Sequence, residues 1–431
     1  MRVSTWHGQS FANKCVAMKV LKTFMAKSCE IKMRSGILGF QPERLKQLRS
    51  ASGLTQEHLA ELIGCSSGNI SKWEKGSAFP TAPSFQKLCT FFDVSEHWLL
   101  EAPINSSGSA PSFFRSQVST SKVSWDVANA RLDWLEEISY KLQESLEFPA
   151  VRIPAYSGDI RLLSDEEIEQ LADECRKMWG IGYGPITDML QTLENAGVVT
   201  AKCHLGYLKM DGVSRWSGVD DRPYVLIAED KASPIRNRFD AAHELGHLVL
   251  HRHVNLDQAK TDYHLLEAQA HRFASAFLMP SESFPLEIKW PTLDGFLALK
   301  NRWKVSIAAM IKRCQDLEIV DSNSATRLWK GRSARGWVKK EPLDDTFEFE
   351  RPKILSRSLR MLVENSILSK SSLQGILGIP REKLEELCGV EKGYFFNGSN
   401  AQVVDIRLRT NVPRTSRIHS TNSKILDFPR K

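Results

Sequence analysis

Six of the chain's eleven histidines fall between His243 and His271. Within that stretch, FDAAHELGHLVLH at Phe239–His251 holds His243 and His247 four residues apart. On a helix that spacing puts both on one face. Two imidazoles so placed can serve one zinc ion, and Glu244, one residue round, reaches a water beside it. A buried, hydrogen-bonded histidine pair is the alternative, and a third ligand decides between the two. The stretch LLEAQAHRFASAFLM, Leu265–Met279, carries Glu267 and His271, again four apart. Glu267 follows His247 by twenty residues, which is room for a loop and an antiparallel return. Two histidines and a glutamate with one position open make a catalytic type of zinc site, whereas a structural site is closed by a fourth protein ligand.

The neighbouring histidines have two readings each. His271 either hydrogen-bonds a ligand histidine from behind or competes for the metal; the first is preferred, because three ligands already complete the set. His251, one turn beyond His247, is either a core histidine or a support of the same kind. His251, His253, Tyr263 and His264 are the candidates to steady a developing oxyanion.

Positioning such a site takes a helix on either side and something to lay them against. VVTAKCHLG, GVSRWSG and RPYVLIAED precede the motif and read as three short strands. They form a small sheet beside the metal helix, and its edge can pair with an extended peptide. Before them, Trp125–Phe148 is amphipathic and ends before Pro149. Asp165–Trp179 is a helix capped by Ser164 with acids in its first turn, and Ile186–Asn195 is a short one.

A different pattern opens the ordered part of the chain. Pro42 begins one helix, Thr55 caps a second, and Ser66 starts a third after the Gly64 turn; two more follow at Ala82–Phe92 and Ser95–Leu100. Two short helices around a glycine turn are a helix-turn-helix. Its third helix presents Ser67, Gly68, Asn69 and Lys72 outward, where asparagine suits adenine and lysine suits guanine or a phosphate. Gln56 at the start of the second helix suits a phosphate. A bundle used for protein binding is the alternative. One short helix covers few base pairs, so a homodimer on a double-stranded operator is expected.

The whole chain is 431 residues, 42% hydrophobic and 25% charged, which suits several globular domains. No apolar run reaches the length of a membrane span. The eight cysteines contain no C-x-x-C pair, which argues against a zinc finger or disulfide framework and for a reducing, cytoplasmic setting. The net charge of +7 is uneven: residues 1–40 hold seven Lys/Arg against Glu30, and the tail from Ala401 holds seven against two acids. Such ends suit an anionic surface or a solvated arm.

The expected division is a basic extension at 1–38 with an alternative start at Met33, a helix-turn-helix domain at 39–101 and a Ser/Pro/Gly-rich linker at 102–124. A metal domain follows at 125–345, then a helical partner-binding module at 346–396 and a loosely ordered basic tail at 397–431. Phe113 and Phe114 stand within the linker without an evident dock. Gly331–Val338 reads as a basic turn. In the module, Leu359, Leu362, Leu373, Ile376, Leu384 and Leu387 are the core candidates. The fold class is mainly α with a small β-sheet (α+β).

Two resemblances give these parts an expected function. PERLKQLRSASGLTQEHLAELIGCSSGNISKWEKG and the closing VSEHWLL resemble the Xre/Cro-type helix-turn-helix family over nearly its full five-helix length. HELGHLVLH followed by EAQAHRFASAFLMP is similar to the ImmA/IrrE metallopeptidase family, together with IGYGPITDMLQTLENAGV, NRFDAAHELGH and SARGW across roughly residues 125–340. The resemblance implies a zincin-like domain with His243, His247 and Glu267 as zinc ligands and Glu244 as general base. It departs at His271, where asparagine is usual. It implies a DNA-binding regulator that is also a zinc endopeptidase, with a repressor-type protein as its substrate. A regulator or antitoxin-like protein whose zinc domain senses a ligand or holds a partner without turnover is the rival.

Overall fold

Side-chain caps set the first helices. A computed structural model describes residues 36–104, 122–206, 211–229 and 233–396, with the backbone of 113–114. Helix α1 (Pro42–Ala51) begins at proline, where a missing N–H costs nothing. Thr55 accepts from the His58 N–H to open α2 (Gln56–Ile63), and Ser66 accepts from the Asn69 N–H to open α3 (Ser67–Glu74). Gly64 turns the chain between them at φ 72°, a conformation other side chains resist. Helices α4 (Ala82–Phe92) and α5 (Glu96–Leu100) close the bundle over Leu45, Leu59, Ile70 and Leu88. The expected basic extension up to residue 35, its alternative start at Met33, and the tail from 397 lie outside the described residues.

The stretch expected as a linker is partly structured. Phe113–Phe114 form a short strand, β1, and α6 (Lys122–Gln143) starts three residues before Trp125. Helix α6 stops at Gln143, short of the expected Phe148. Leu142 and Leu146 continue the helical spacing, but the N–H groups of Ser145 and Leu146 both turn onto the Leu142 carbonyl, and Phe148 enters the core beyond the helix.

Beyond α7 (Asp165–Trp179) and α8 (Met189–Asn195) lie β2 (Val199–Cys203), β3 (Gly212–Trp216) and β4 (Pro223–Ala228). The sheet order is β1-β3-β4-β2: β2 runs parallel to β4, while β3 is antiparallel to both β4 and β1. Both faces are covered, so β4 is apolar throughout, as doubly covered strands are. Tyr224, Leu226 and Ala228 face one core and Val225 and Ile227 the other.

The second face carries the long helices α9 (Pro234–Leu250) and α11 (Tyr263–Leu278), with α10 (Leu256–Thr261) between them. Helices α12 (Phe284–Glu287), α13 (Leu293–Trp303), α14 (Ile307–Asp316) and α15 (Ser322–Ala334) complete that core. The expected turn at Gly331–Val338 is corrected: Gly331–Ala334 form the last turn of α15, where Arg332 pairs with Glu341.

The first face holds a finding the sequence did not announce. The N-terminal bundle, α6, this sheet face and the C-terminal helices α16 (Ile354–Glu364), α17 (Lys370–Leu377) and α18 (Arg381–Cys388) share one continuous core. Arg44, fully buried, donates to both carboxylate oxygens of Glu137 on α6 at 2.5 and 2.9 Å, and its guanidinium lies 4.2 Å from the centre of the Trp98 ring. Trp98 meets Trp134 edge-on. Gly378, at the end of α17, presses against Trp98 so closely that a Cβ there would lie 2.1 Å from a ring carbon. The module's leucine stripe is therefore buried inside the chain. Its expected core residues are buried except Ile376, which is 45% exposed: in an eight-residue helix Leu373 and Leu377 define the inward stripe and Ile376 falls beside it.

Candidate metal centre and helix-turn-helix face

Gly246 makes the centre possible. It lies on α9 between the two histidines and the crossing helix α11. A Cβ there would come within 3.1 Å of the Ala270 backbone. The bare backbone lets the helices close, and Glu267 at 13% exposure is carried over His243 and His247, both buried. The His243 and His247 Nε2 atoms are 3.1 Å apart, and the Glu267 carboxylate oxygens lie 3.4 and 3.3 Å from them. Ligand atoms held tetrahedrally about one zinc at ~2.0–2.2 Å sit roughly 3.3–3.5 Å apart. The three side chains thus form a cradle of the right size and donor chemistry for one metal ion, and they are the one such group among the described residues.

Burial works against charge here. It holds the His243 imidazole well below its ordinary pKa, so the ring is neutral with a lone pair to give. Burial would raise the Glu267 carboxyl, but the adjacent His243 and His247 imidazoles outweigh it and keep the group ionised. Neutral imidazoles and a carboxylate are the protonation states a metal requires.

Behind His247 runs a chain of hydrogen bonds that fixes its tautomer. The Gln269 amide nitrogen donates to the Ile160 carbonyl at 2.6 Å, which turns its oxygen toward His251 Nε2 at 3.0 Å. His251 therefore donates from Nε2 and accepts at Nδ1, which lies 2.9 Å from His247 Nδ1. His247 donates that proton from Nδ1, which leaves its Nε2 unprotonated toward the cradle. Burial first, and then the neighbouring His247, push the His251 pKa down to about 3, so it stays neutral. His271 is not one of the three converging donors. Its ring lies edge-on to His243, with centroids 4.5 Å apart, and it borders a cavity of about 680 Å3 lined also by Asp211, Arg236, Phe239 and Asp240.

Glu244 is 1% exposed and abuts the start of β3: a Cβ on Gly212 would lie 2.9 Å from its carboxylate. Of the oxyanion candidates, His251 is committed to the relay behind His247, while Tyr263 and His264 sit ring to ring at the start of α11. Gln269, Gly246 and Gly212 were missed by the sequence reading. A glycine between two spaced histidines is a usable signal for close helix approach; a single amide in an alanine-rich helix is not.

On α3, Ser67, Gly68, Asn69 and Lys72 are all exposed. Gln56 is half-buried and donates to Glu74 at 2.6 Å, which also takes Arg49, so one of its amide protons is already placed. The start of α3 shares a cleft with Gln56 and with Lys122, Val123 and Asp126 at the start of α6.

Comparison with known proteins finds matches for two stretches of the chain. Residues 43–103 match the family described as helix-turn-helix domain, and residues 193–315 match a peptidase family described as IrrE N-terminal-like domain. The chain thus carries a helix-turn-helix domain and an IrrE N-terminal-like peptidase domain over those two stretches. An HTH-type transcriptional activator, BcrR of Enterococcus faecalis, is 45% identical over 58 residues. That match spans 14% of this chain and 28% of the activator. No helix among the described residues is long and apolar enough to cross a membrane.

Proposed function

We propose that this protein is a DNA-binding transcriptional regulator with a zinc-dependent endopeptidase domain, and that it cleaves a repressor-type regulatory protein. The carrying observation is the cradle: donor atoms of His243, His247 and Glu267 within 4.8 Å of one another, beside a buried Glu244. The three side chains would hold the zinc. When bound, zinc supplies Lewis-acid chemistry, polarising a peptide carbonyl and lowering the pKa of water toward ~7. Glu244 is the general base: it takes the proton of the attacking water and returns it to the leaving amine. His251 and Gln269 keep His247 in the tautomer whose Nε2 is unprotonated. An extended stretch of the substrate pairs with the edge of β3, whose first residue, Gly212, touches Glu244.

The helix-turn-helix domain stations this site at a double-stranded operator. Asn69 and Lys72 read bases, Ser67 and Gly68 allow close approach, and the second Gln56 amide proton meets a phosphate. Two copies bind as a homodimer. The test is metal content combined with cleavage of regulators encoded beside this protein's own gene. Glu244→Ala retains zinc and loses cleavage. Zinc binding without cleavage of any such protein, in wild type and Glu244→Ala alike, would replace this reading with a non-proteolytic regulator that senses a ligand or holds a partner.

A further inference from the structure

β3 would be the outer strand of this sheet but for two residues. Its far side is paired with Phe113–Phe114, antiparallel, with Phe113 opposite Ser214 and Phe114 opposite Val213. Val213 follows Gly212, the residue against which the Glu244 carboxylate rests. The occupied edge is therefore the one beside the general base of the proposed peptidase. Phe113 and Phe114 are the two aromatic residues in the Ser/Pro-rich stretch 102–124, and aromatics favour strands where their neighbours do not.

An exposed strand edge is a template for any extended chain. A peptide adding to β3 would need the N–H and C=O groups that β1 now engages. The two cannot occupy the edge together. A two-residue strand contributes few ladder bonds, which makes it displaceable, yet its attachment to the chain keeps it at an effective concentration on the order of mM. Few contacts and high local concentration are the features of a weak competitor in cis.

We infer that Phe113–Phe114 are a built-in occupant of the substrate-pairing edge, so that the chain blocks its own cleft until an extended peptide of greater length displaces β1. The inference rests on the peptidase reading for its meaning, but the strand exchange does not depend on turnover, and neither does its test. The test uses full-length protein carrying Glu244→Ala, so that nothing is cut. A fluorescent peptide copying residues 109–120 is the probe. Its affinity is compared between the parent and a variant with Phe113→Pro and Phe114→Pro, since proline cannot donate to the ladder. A second variant, with residues 109–118 replaced by the same length of Gly and Ser, guards against a folding effect of the prolines. Amide exchange at 212–216 is followed in all three.

The expected result is at least ~10-fold tighter binding to both variants than to the parent. Exchange at whichever of residues 213 and 214 has its N–H toward β1 is faster in the free variants and slowed again by the peptide. Equal affinity for parent and variants, or binding to none of them, would overturn the inference, as would unchanged exchange at 213–214. Absence of cleavage by the zinc-loaded wild type, measured separately, would remove the peptidase reading and leave the strand-exchange result intact.

Discussion

Gly378→Ala probes the joint between the N-terminal bundle and the C-terminal helices. Gly378 sits at φ 68°, where an L side chain costs ~1–2 kcal/mol. Its new Cβ would fall 2.1, 2.5 and 2.8 Å from three carbons of Trp98. Trp98 cannot withdraw: it is 1% exposed, lies under the Arg44 guanidinium and abuts Trp134. Relief must come from parting the joint, at the ~1–3 kcal/mol typical of overpacked cores. Together these predict a loss of about 2–5 kcal/mol, and a fall of ~4–10 °C in the midpoint of the transition that includes the bundle. Gly375→Ala is the internal control. It lies on the same helix α17, and its Cβ would meet nothing within 4 Å; it should be neutral or slightly stabilising. Thermal unfolding followed by tryptophan fluorescence reads both. If Gly378→Ala unfolds within a degree of wild type while Gly375→Ala does too, the bundle is not clamped on the module as described.

Four further outcomes follow from the centre and its surroundings. Gln269→Leu removes the group that sets the His251 tautomer and should weaken zinc binding ~10–100-fold in a chelator competition, with little change in overall helicity. Gly246→Ala should push α11 away by a few tenths of an ångström and lower zinc affinity as well, whereas an unchanged affinity would show that Glu267 does not depend on that close approach. Gly212→Ala should keep zinc but shift the Glu244 carboxylate, lowering peptide cleavage by up to ~100-fold if the misplacement approaches an ångström. Lys202, buried against Asn237, has its pKa pushed down to about 8 by burial, partly opposed by Glu229. Because the unfolded chain binds this proton up to a higher pH, it opposes folding fully below pH ~8, and the penalty fades as pH rises toward ~10.5. Unfolding free energies of Lys202→Met and wild type from urea titration should therefore differ most at neutral pH, by at most about 3 kcal/mol, and converge above pH ~10.

Local signals were readable where one turn decides the outcome. Thr55, Ser66 and Ser164 each accept the backbone N–H three residues on, as their types and positions suggest. The i,i+4 spacing of His243 and His247 needs only a helix, and the structure brings their nitrogens together with Glu267. What escaped the sequence depends on contacts between distant segments. Nothing near Gln269 reveals that Ile160, over a hundred residues earlier, will orient its amide. Nothing in a Ser/Pro-rich stretch reveals that two phenylalanines meet β3, because a two-residue strand has no period. Ile376 and the end of α6 were misjudged for the opposite reason: a short apolar period persists past the point where tertiary contacts use it.

The bundle, α6, one face of the sheet and the C-terminal helices share a core, and the helices of the metal centre pack on the other face, so the reading head and the proposed cleft are joined through the sheet. A flexible tether would let the cleft sweep a sphere around its operator and reach targets in any direction. A rigid mount instead acts as a protractor. Once α3 is seated in a groove, the cleft faces a fixed direction around the duplex. A target bound nearby on the same DNA would then be met only when it projects to that side. Sliding its site by half a helical turn, roughly 5 bp, should turn it away, and a full turn of ~10.5 bp should bring it back. Susceptibility to the proposed cleavage on DNA would rise and fall with spacing, with the period of the double helix.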